Sequence, residues 1–221
     1  MRKVVAAAFL SLDGVMQAPG GPEEDPASDF AYGGWVFPHW DGVVDRAMDE
    51  ALHTPFDLLL GRRTYEIFAA HWPHVPADDP VGTVFNAVTK YVATTSATPL
   101  SWRNSVALQG DAATAVAELK RQDGPVLLLQ GSSHLIQTLL AADLIDEFRL
   151  MTFPVLLGKG KRLFGPGTIP AGLKLVDSKA SATGVVISTY LRSGEVTTGS
   201  FAQAQPTEAE LARREPVRRE G

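Results

Sequence analysis

There is no cysteine among the 221 residues. That absence removes disulfides, thiolate zinc sites, iron–sulfur clusters and cysteine nucleophiles together, and it fits a reducing, cytoplasmic setting. Long apolar runs are missing too. None approaches the length of a membrane span, so no membrane partner is expected. Met1-Arg2-Lys3 followed by Val4 to Leu12 has the outline of a short signal peptide, but Asp13 interrupts it and no small-residue cleavage site follows. The run reads instead as a buried first strand. Cations are in deficit, 20 Lys and Arg against 25 Asp and Glu. A nucleic-acid partner is not expected, because phosphate contacts need a basic surface. Neither G-x-G-x-x-G nor G-x-x-x-x-G-K-[ST] occurs, which weighs against a classical dinucleotide-binding Rossmann domain and excludes a P-loop.

What is present describes a globular α/β chain. Hydrophobic residues are 45% of the sequence, enough for one large core without metal or disulfide staples. Short apolar runs at Val4–Leu12, Phe56–Leu60, Tyr91–Thr94, Val106–Leu108 and Val126–Gln130 read as strands buried on both faces. Asp146–Val155, Leu173–Asp177 and Val185–Leu191 add three more. Helical patterns lie between them, at Asp41–His53, Arg62–Ala70, Asp111–Arg121 and Ser132–Leu144. Alternating strands and helices predict a mostly parallel sheet covered on both faces. The last strands have no helix between them, so the C-terminal edge is expected to be antiparallel. Residues 1–194 make the domain. Residues 195–221 form a polar tail, read as disordered or as a short helix opened by a Thr207-x-x-Glu210 capping box. The long Asp13–Trp40 segment reads as a functional lid or a disordered loop.

Chemistry-bearing residues gather at strand ends. Leu58-Leu59-Leu60-Gly61-Arg62-Arg63-Thr64 takes a buried strand through a glycine into a helix. Helix N-termini carry free N–H groups and a positive dipole end that suit phosphate, and two arginines add full charges. Read alone, the stretch is equally an ordinary turn with two solvated arginines. Val126 to Gln130 leads likewise into Gly131-Ser132-Ser133 and a helix. Thr94-Thr95-Ser96 ends a third strand with hydroxyls. In open α/β sheets, ligands bind beyond the carboxyl ends of strands. His71-Trp72-Pro73-His74 has metal-like spacing, but Pro73 breaks the helix that would align both rings, and no metal site is expected. Trp35 and Trp40 either stack on a substrate ring or pack the lid.

In their order, these pieces resemble the dihydrofolate reductase superfamily, and most nearly the reductase domain at the C-terminus of the bifunctional riboflavin-biosynthesis deaminase–reductase. The matching stretches are Ser11-Leu12-Asp13-Gly14-Val15, Leu60-Gly61-Arg62-Arg63-Thr64-Tyr65-Glu66, Gly131-Ser132 with Leu135, Leu144-Ile145-Asp146-Glu147, and Pro154 through Phe164. The resemblance implies a three-layer α/β/α fold, an NADPH cofactor, a small-molecule substrate and a homodimer. By the same resemblance, Arg62 matches the arginine at the adenosine 2′-phosphate, and Arg63 and Thr64 lie at the pyrophosphate. Thr94, Thr95 and Ser96 form the hydroxyl loop beside the adenosine phosphate. Gly131 and Ser132, with the Ser133 hydroxyl, stand by the pyrophosphate and nicotinamide ribose. Ser132 departs from the glycine pair of folate reductases proper.

On the substrate side, Asp45 sits where the superfamily carries the acid that orients and protonates pterin; a buried carboxyl there would have a raised pKa and could donate a proton. Its other reading is part of a solvated stripe with Asp41 and Asp49. Asp13 and Gly14 would close the cleft, Trp35 would stack on substrate, and Thr152 matches a substrate-contacting threonine. Lys159, Lys161 and Arg162 would meet a substrate phosphate or merely solvate a loop. The implied reaction is hydride transfer to a ribosylamino-pyrimidine or similar heterocycle. A folate or carbonyl/imine reductase and a non-catalytic nucleotide-binding dimer module are the alternatives. Lacking cysteine, the chain lacks the Cys-ligated zinc deaminase half, so a stand-alone reductase is expected. The negative charge is local. Residues 13–50 hold nine carboxylates against Arg46, so a strongly anionic substrate is disfavoured near the lid.

Overall fold

The computed structural model describes residues 1–166, 168–201 and 205–219. Its centre is an eight-stranded sheet in the order β4-β3-β2-β5-β1-β6-β8-β7. The strands are β1 (Val4–Ser11), β2 (Phe56–Gly61), β3 (Lys90–Ala93), β4 (Ser105–Leu108), β5 (Val126–Gln130), β6 (Glu147–Phe153), β7 (Leu173–Ala180) and β8 (Val186–Arg192). The first six in that order are parallel to one another; β8 runs antiparallel to both β6 and β7. This is the mixed α/β sheet with an antiparallel C-terminal edge that the run pattern predicts.

The helices are α1 (Gly42–His53), α2 (Arg62–His71), α3 (Pro80–Ala87), α4 (Ala112–Arg121), α5 (Ser133–Ala141) and α6 (Glu208–Arg219). Three of them start on an aspartate. Asp41, Asp79 and Asp111 each accept first-turn N–H groups of α1, α3 and α4, which satisfies donors left over by the helix geometry. Helix α3 is absent from the sequence reading, although Asp79-Pro80 is a cap followed by a proline at the first helical position. Helix α5 ends three residues earlier than its apolar stripe suggests. There Asp143 turns left-handed at φ +52°, and Leu144 N–H closes on Leu139 O. In the tail, Thr207 Oγ1 accepts the Glu210 N–H at 3.3 Å, opening α6.

Two apolar clusters fill the layers on either side of the sheet. Leu127 and Leu129 of β5 meet Leu135, Ile136 and Leu139 of α5 on one face. Leu58, Leu60 and Leu128 meet Tyr65 and Phe85 on the other. Helices α2 and α5 thus leave adjacent strands, β2 and β5, for opposite faces. A crevice opens between two such helices at the strands' carboxyl ends. The sheet thins at its margins. Edge strand β4, expected to be buried, leaves Val106 45% exposed, and β7 is exposed along its whole length.

The Asp13–Trp40 segment has a core of its own. Val15, Ala18, Phe30, Trp35 and Val36 pack with Val44, Phe153 and Val185. Backbone bonds from Met16 N to Lys161 O and from Leu163 N to Gly14 O fasten it to the loop after β6. Gly33 permits this path, since a Cβ there would stand 2.3 Å from Gly21 O.

Lys90 of β3 is buried completely, and no carboxylate within the described residues pairs with it. Its Nζ donates to Asn86 O and Val88 O at the end of α3 and lies 4.4 Å from the Trp102 ring centroid. Burial, with help from nearby Arg103, pulls its pKa down from 10.5 to about 8. Between those values the unfolded chain holds a proton that the folded chain has released, so this group makes stability rise with pH across that window. Lys90→Met should remove that rise, a difference of up to about 3 kcal/mol between wild type and variant. Denaturant melts at pH 7.5 and 10 would show it; parallel pH profiles for the two proteins would refute it.

Candidate functional site

The two helices at the crevice begin differently from the other three described above. Neither α2, capped by Gly61, nor α5, capped by Ser132, has a side chain bonded to its first-turn N–H groups. Donors that aspartates occupy elsewhere are here left facing one cleft. The strand ends are tied to each other instead. Gly61 N–H donates to Ser132 Oγ at 2.9 Å, and Ser132 N–H donates to Thr64 Oγ1 at 3.1 Å. Gly131 and Ser132 are consecutive left-handed residues, with φ +62° and +60°. A Cβ on Gly131 would lie 3.1 Å from Thr64 Cγ2, so the glycine lets this double turn sit against α2.

The cleft encloses about 930 Å³. Its cofactor-side wall is Gly61, Arg62, Arg63, Thr64 and Gly131 to Leu135. Arg62 Nε donates to Glu66 at 2.7 Å, and its Nη1 donates to Thr98 O at 2.9 Å. It therefore bridges α2 and the hydroxyl loop that follows β3. Arg63 has no ion-pair partner in the described residues. Thr94, Thr95 and Ser96 do not line the cleft. Thr94 Oγ1 accepts the Ser96 N–H at 3.0 Å and Ser96 Oγ the Thr98 N–H at 3.2 Å, so these two hydroxyls shape the loop that Arg62 reaches.

The opposite wall is aromatic and acidic. Phe9, Phe37 and Trp40 form it with Met48 and Met151; Trp40 lies edge-on to Phe9, with centroids 5.8 Å apart. Asp45, in the first turn of α1, faces this space and accepts the Trp40 indole N–H on Oδ1. It is exposed rather than buried, so the buried setting expected for this acid is not what the fold provides. Asp49 lines the same wall one turn on. Burial does push the Glu24 carboxyl up, opposed by a hydrogen bond from Gly20 N–H.

Four expected substrate contacts lie elsewhere. Asp13 is consumed in holding the loop after β6. It accepts Ser11 Oγ at 2.7 Å, Leu157 N–H at 3.1 Å, Gly158 N–H at 2.9 Å and Arg162 Nη2 at 3.2 Å. The Ser11 hydroxyl above all, joined by the two backbone donors, brings its pKa down to about 2. Gly14 belongs to the same anchor. Trp35 is buried, donates its indole N–H to Gln17 O at 2.8 Å and stands edge-on to Phe153; it packs the lid. Thr152 shares a face of β6 with Phe148 and Leu150; Leu150 lines the cleft and Thr152 does not. Conversely, Phe9, Met48 and Gln130 line the cleft with no signal in the sequence to mark them, and His134 and Lys161 line it too. Among the described residues no three His, Cys, Asp or Glu side chains gather as a metal site, and no helix is long and apolar enough to cross a membrane.

The sheet order and the crevice define a dihydrofolate-reductase-like α/β protein. The chain belongs to the RibD C-terminal domain family, whose model matches residues 2–187. YwjB of Bacillus subtilis, an uncharacterized protein, is 28% identical over 192 residues, covering 87% of this chain and 99% of its own. A Shewanella sp. PV-4 protein assigned to riboflavin biosynthesis superposes with a TM-score of 0.63 at 20% identity, over 86% of this chain and 99% of that one. Dihydrofolate reductase from Enterococcus faecalis, solved with NADP(H) and RAB-propyl, superposes with a TM-score of 0.54 at 16% identity, over 86% and 96%.

Proposed function

We propose that this protein is an NADPH-dependent reductase that transfers hydride to a small heterocycle of the pyrimidine or pterin kind. The observation that carries this reading is the pair of uncapped helix N-termini converging on one cleft. Six first-turn N–H groups, from Arg62, Arg63, Thr64, Ser133, His134 and Leu135, are available there for a pyrophosphate. The left-handed Gly131-Ser132 turn keeps side chains out of its path, and Arg63 offers an uncommitted guanidinium. The residues present therefore fit a phosphorylated dinucleotide. When bound, NADPH supplies the hydride, and the chain's contribution is orientation and a water-poor surface. Phe9, Phe37 and Trp40 offer a ring-stacking wall. Asp45, steadied by the Trp40 indole, takes a proton from solvent and passes it to the reduced ring, and the carboxylate left behind accepts a ring N–H. The relative solved with NADP(H) supports the cofactor assignment by likeness of fold alone.

Titration with NADPH and NADH, followed by nicotinamide fluorescence, tests the cofactor. We expect NADPH to bind at least about ten-fold more tightly; equal affinity would overturn the 2′-phosphate role given to Arg62. NADPH oxidation is then assayed against pyrimidines, pterins and simple carbonyls. Tight NADPH binding with silence across that panel would favour the non-catalytic module.

A further inference from the structure

We infer that the substrate half of this cleft is built to refuse phosphate, so that the substrate is a planar heterocycle without a phosphate group, and that Asp25 enforces the choice by neutralising Lys161. This rests on the reductase reading of the same cleft and names its substrate class. Four permanent cations line the cleft, Arg62 and Arg63 in its cofactor half and Arg149 and Lys161 in its substrate half. Arg62 pairs with Glu66 at 2.7 Å, Arg149 with Glu147 at 2.7 Å, and Lys161 with Asp25. The fourth, Arg63, opens α2 in the cofactor half. Five further carboxylates on the lining, Glu24, Asp45, Asp49, Glu50 and Asp177, have no cation partner within the described residues. A phosphate brought to the aromatic wall would face these carboxylates, with every nearby cation already occupied.

The Lys161–Asp25 pair is held from both sides. Gln17, itself buried, accepts Lys161 N–H on Oε1 at 3.0 Å and donates its Nε2 to Asp25 O and Ala27 O at 3.0 and 2.9 Å. One amide thus fixes the main chain of both partners, and the two side chains are only 25% and 13% exposed. Such a pair resists solvent screening better than a surface one. Arg162, the neighbouring candidate phosphate ligand, is occupied in the same way by Asp13. Lys161 and Arg162 therefore fasten the lid through its carboxylates, while exposed Lys159 lies outside the cleft lining.

Riboflavin and riboflavin 5′-phosphate share a ring and a ribityl chain and differ by one phosphate. Their dissociation constants are measured by flavin fluorescence quenching, with the cofactor half filled by saturating NADP+. Wild type should bind riboflavin at least about ten-fold more tightly than its phosphate. Asp25→Asn keeps the shape, frees Lys161 and should bring the two constants within about two-fold. Asp25→Asn combined with Lys161→Gln should restore the original discrimination, a reversal that misfolding cannot imitate. Equal binding of both flavins by wild type overturns the inference. So does an unchanged ratio in Asp25→Asn, or failure to bind either flavin at millimolar concentration. Failure of the reductase reading is read separately, as no change in nicotinamide fluorescence when NADPH is titrated alone.

Discussion

Gly131→Val should abolish dinucleotide binding while the protein stays folded. Gly131 sits at φ +62°, where an L-residue costs about 1–2 kcal/mol and a β-branched one more. Space compounds the strain. The new Cβ would stand 3.1 Å from Thr64 Cγ2, and the two valine methyls extend from there. Thr64 cannot yield freely, because its Oγ1 holds Ser132 N–H at 3.1 Å. Relief of the clash therefore loosens the link that keeps the two helix starts side by side. We expect NADPH affinity to fall at least about 100-fold, with a loss of stability of about 2–3 kcal/mol, which a domain of ordinary stability survives. Gly61→Ala is the matched control. Gly61 has φ −76°, and its added Cβ would meet Ser132 at an ordinary 3.6 Å, so binding should change by no more than a few-fold. Fluorescence titration and thermal melts of both variants decide the matter. NADPH binding by folded Gly131→Val within ten-fold of wild type would remove the turn from the cofactor site.

The cleft's two walls differ in how far the sequence exposed them. The cofactor wall is local chemistry. A glycine after an apolar strand, arginines at the following helix start and a second small-residue turn are visible as contiguous strings, and β2 and β5 prove to be neighbours in parallel register. The substrate wall comes from distant segments. Phe9 of β1, Met48 of α1, Met151 of β6 and Lys161 of the next loop meet only because β1 and β6 pair and α1 crosses them. No spacing rule announces such a set. The two lid tryptophans show the same limit. Trp40 immediately precedes the Asp41 cap and is carried to the cleft by α1, whereas Trp35 lies five residues earlier and turns inward on Phe153. Asp13 illustrates the reverse error. A carboxylate beside a glycine at a strand end has the outline of a ligand contact, but its acceptor capacity is filled by the loop it anchors. The fold was more legible than the site, since strand burial and helix capping depend on near neighbours. Even so, the uncovered edge at β7 and the early end of α5 depend on tertiary surroundings.

Asp45→Asn should lower kcat by about 100-fold or more on the best substrate of the panel, with the Kd for NADPH unchanged. The carboxylate's Oδ1 is engaged by the Trp40 indole, which turns the side chain toward the aromatic wall and leaves the second oxygen for a substrate ring N–H. Asparagine can keep the indole bond through its own carbonyl, so the wall should not rearrange; what disappears is a group able to carry a solvent proton to the ring. Two companions separate these contributions. Trp40→Phe preserves a ring on the wall and removes the indole donor, and should cost about ten-fold in kcat by freeing Asp45 to wander. Asp49→Asn removes a second charge from the same helix face and the same cleft, yet has no indole to aim it, and should alter kcat by less than about three-fold. A loss confined to Asp45 and echoed at Trp40 identifies the carboxyl that touches substrate. Equal losses at Asp45 and Asp49 would mean that the wall acts through its summed field, and the proton would then have to come directly from solvent.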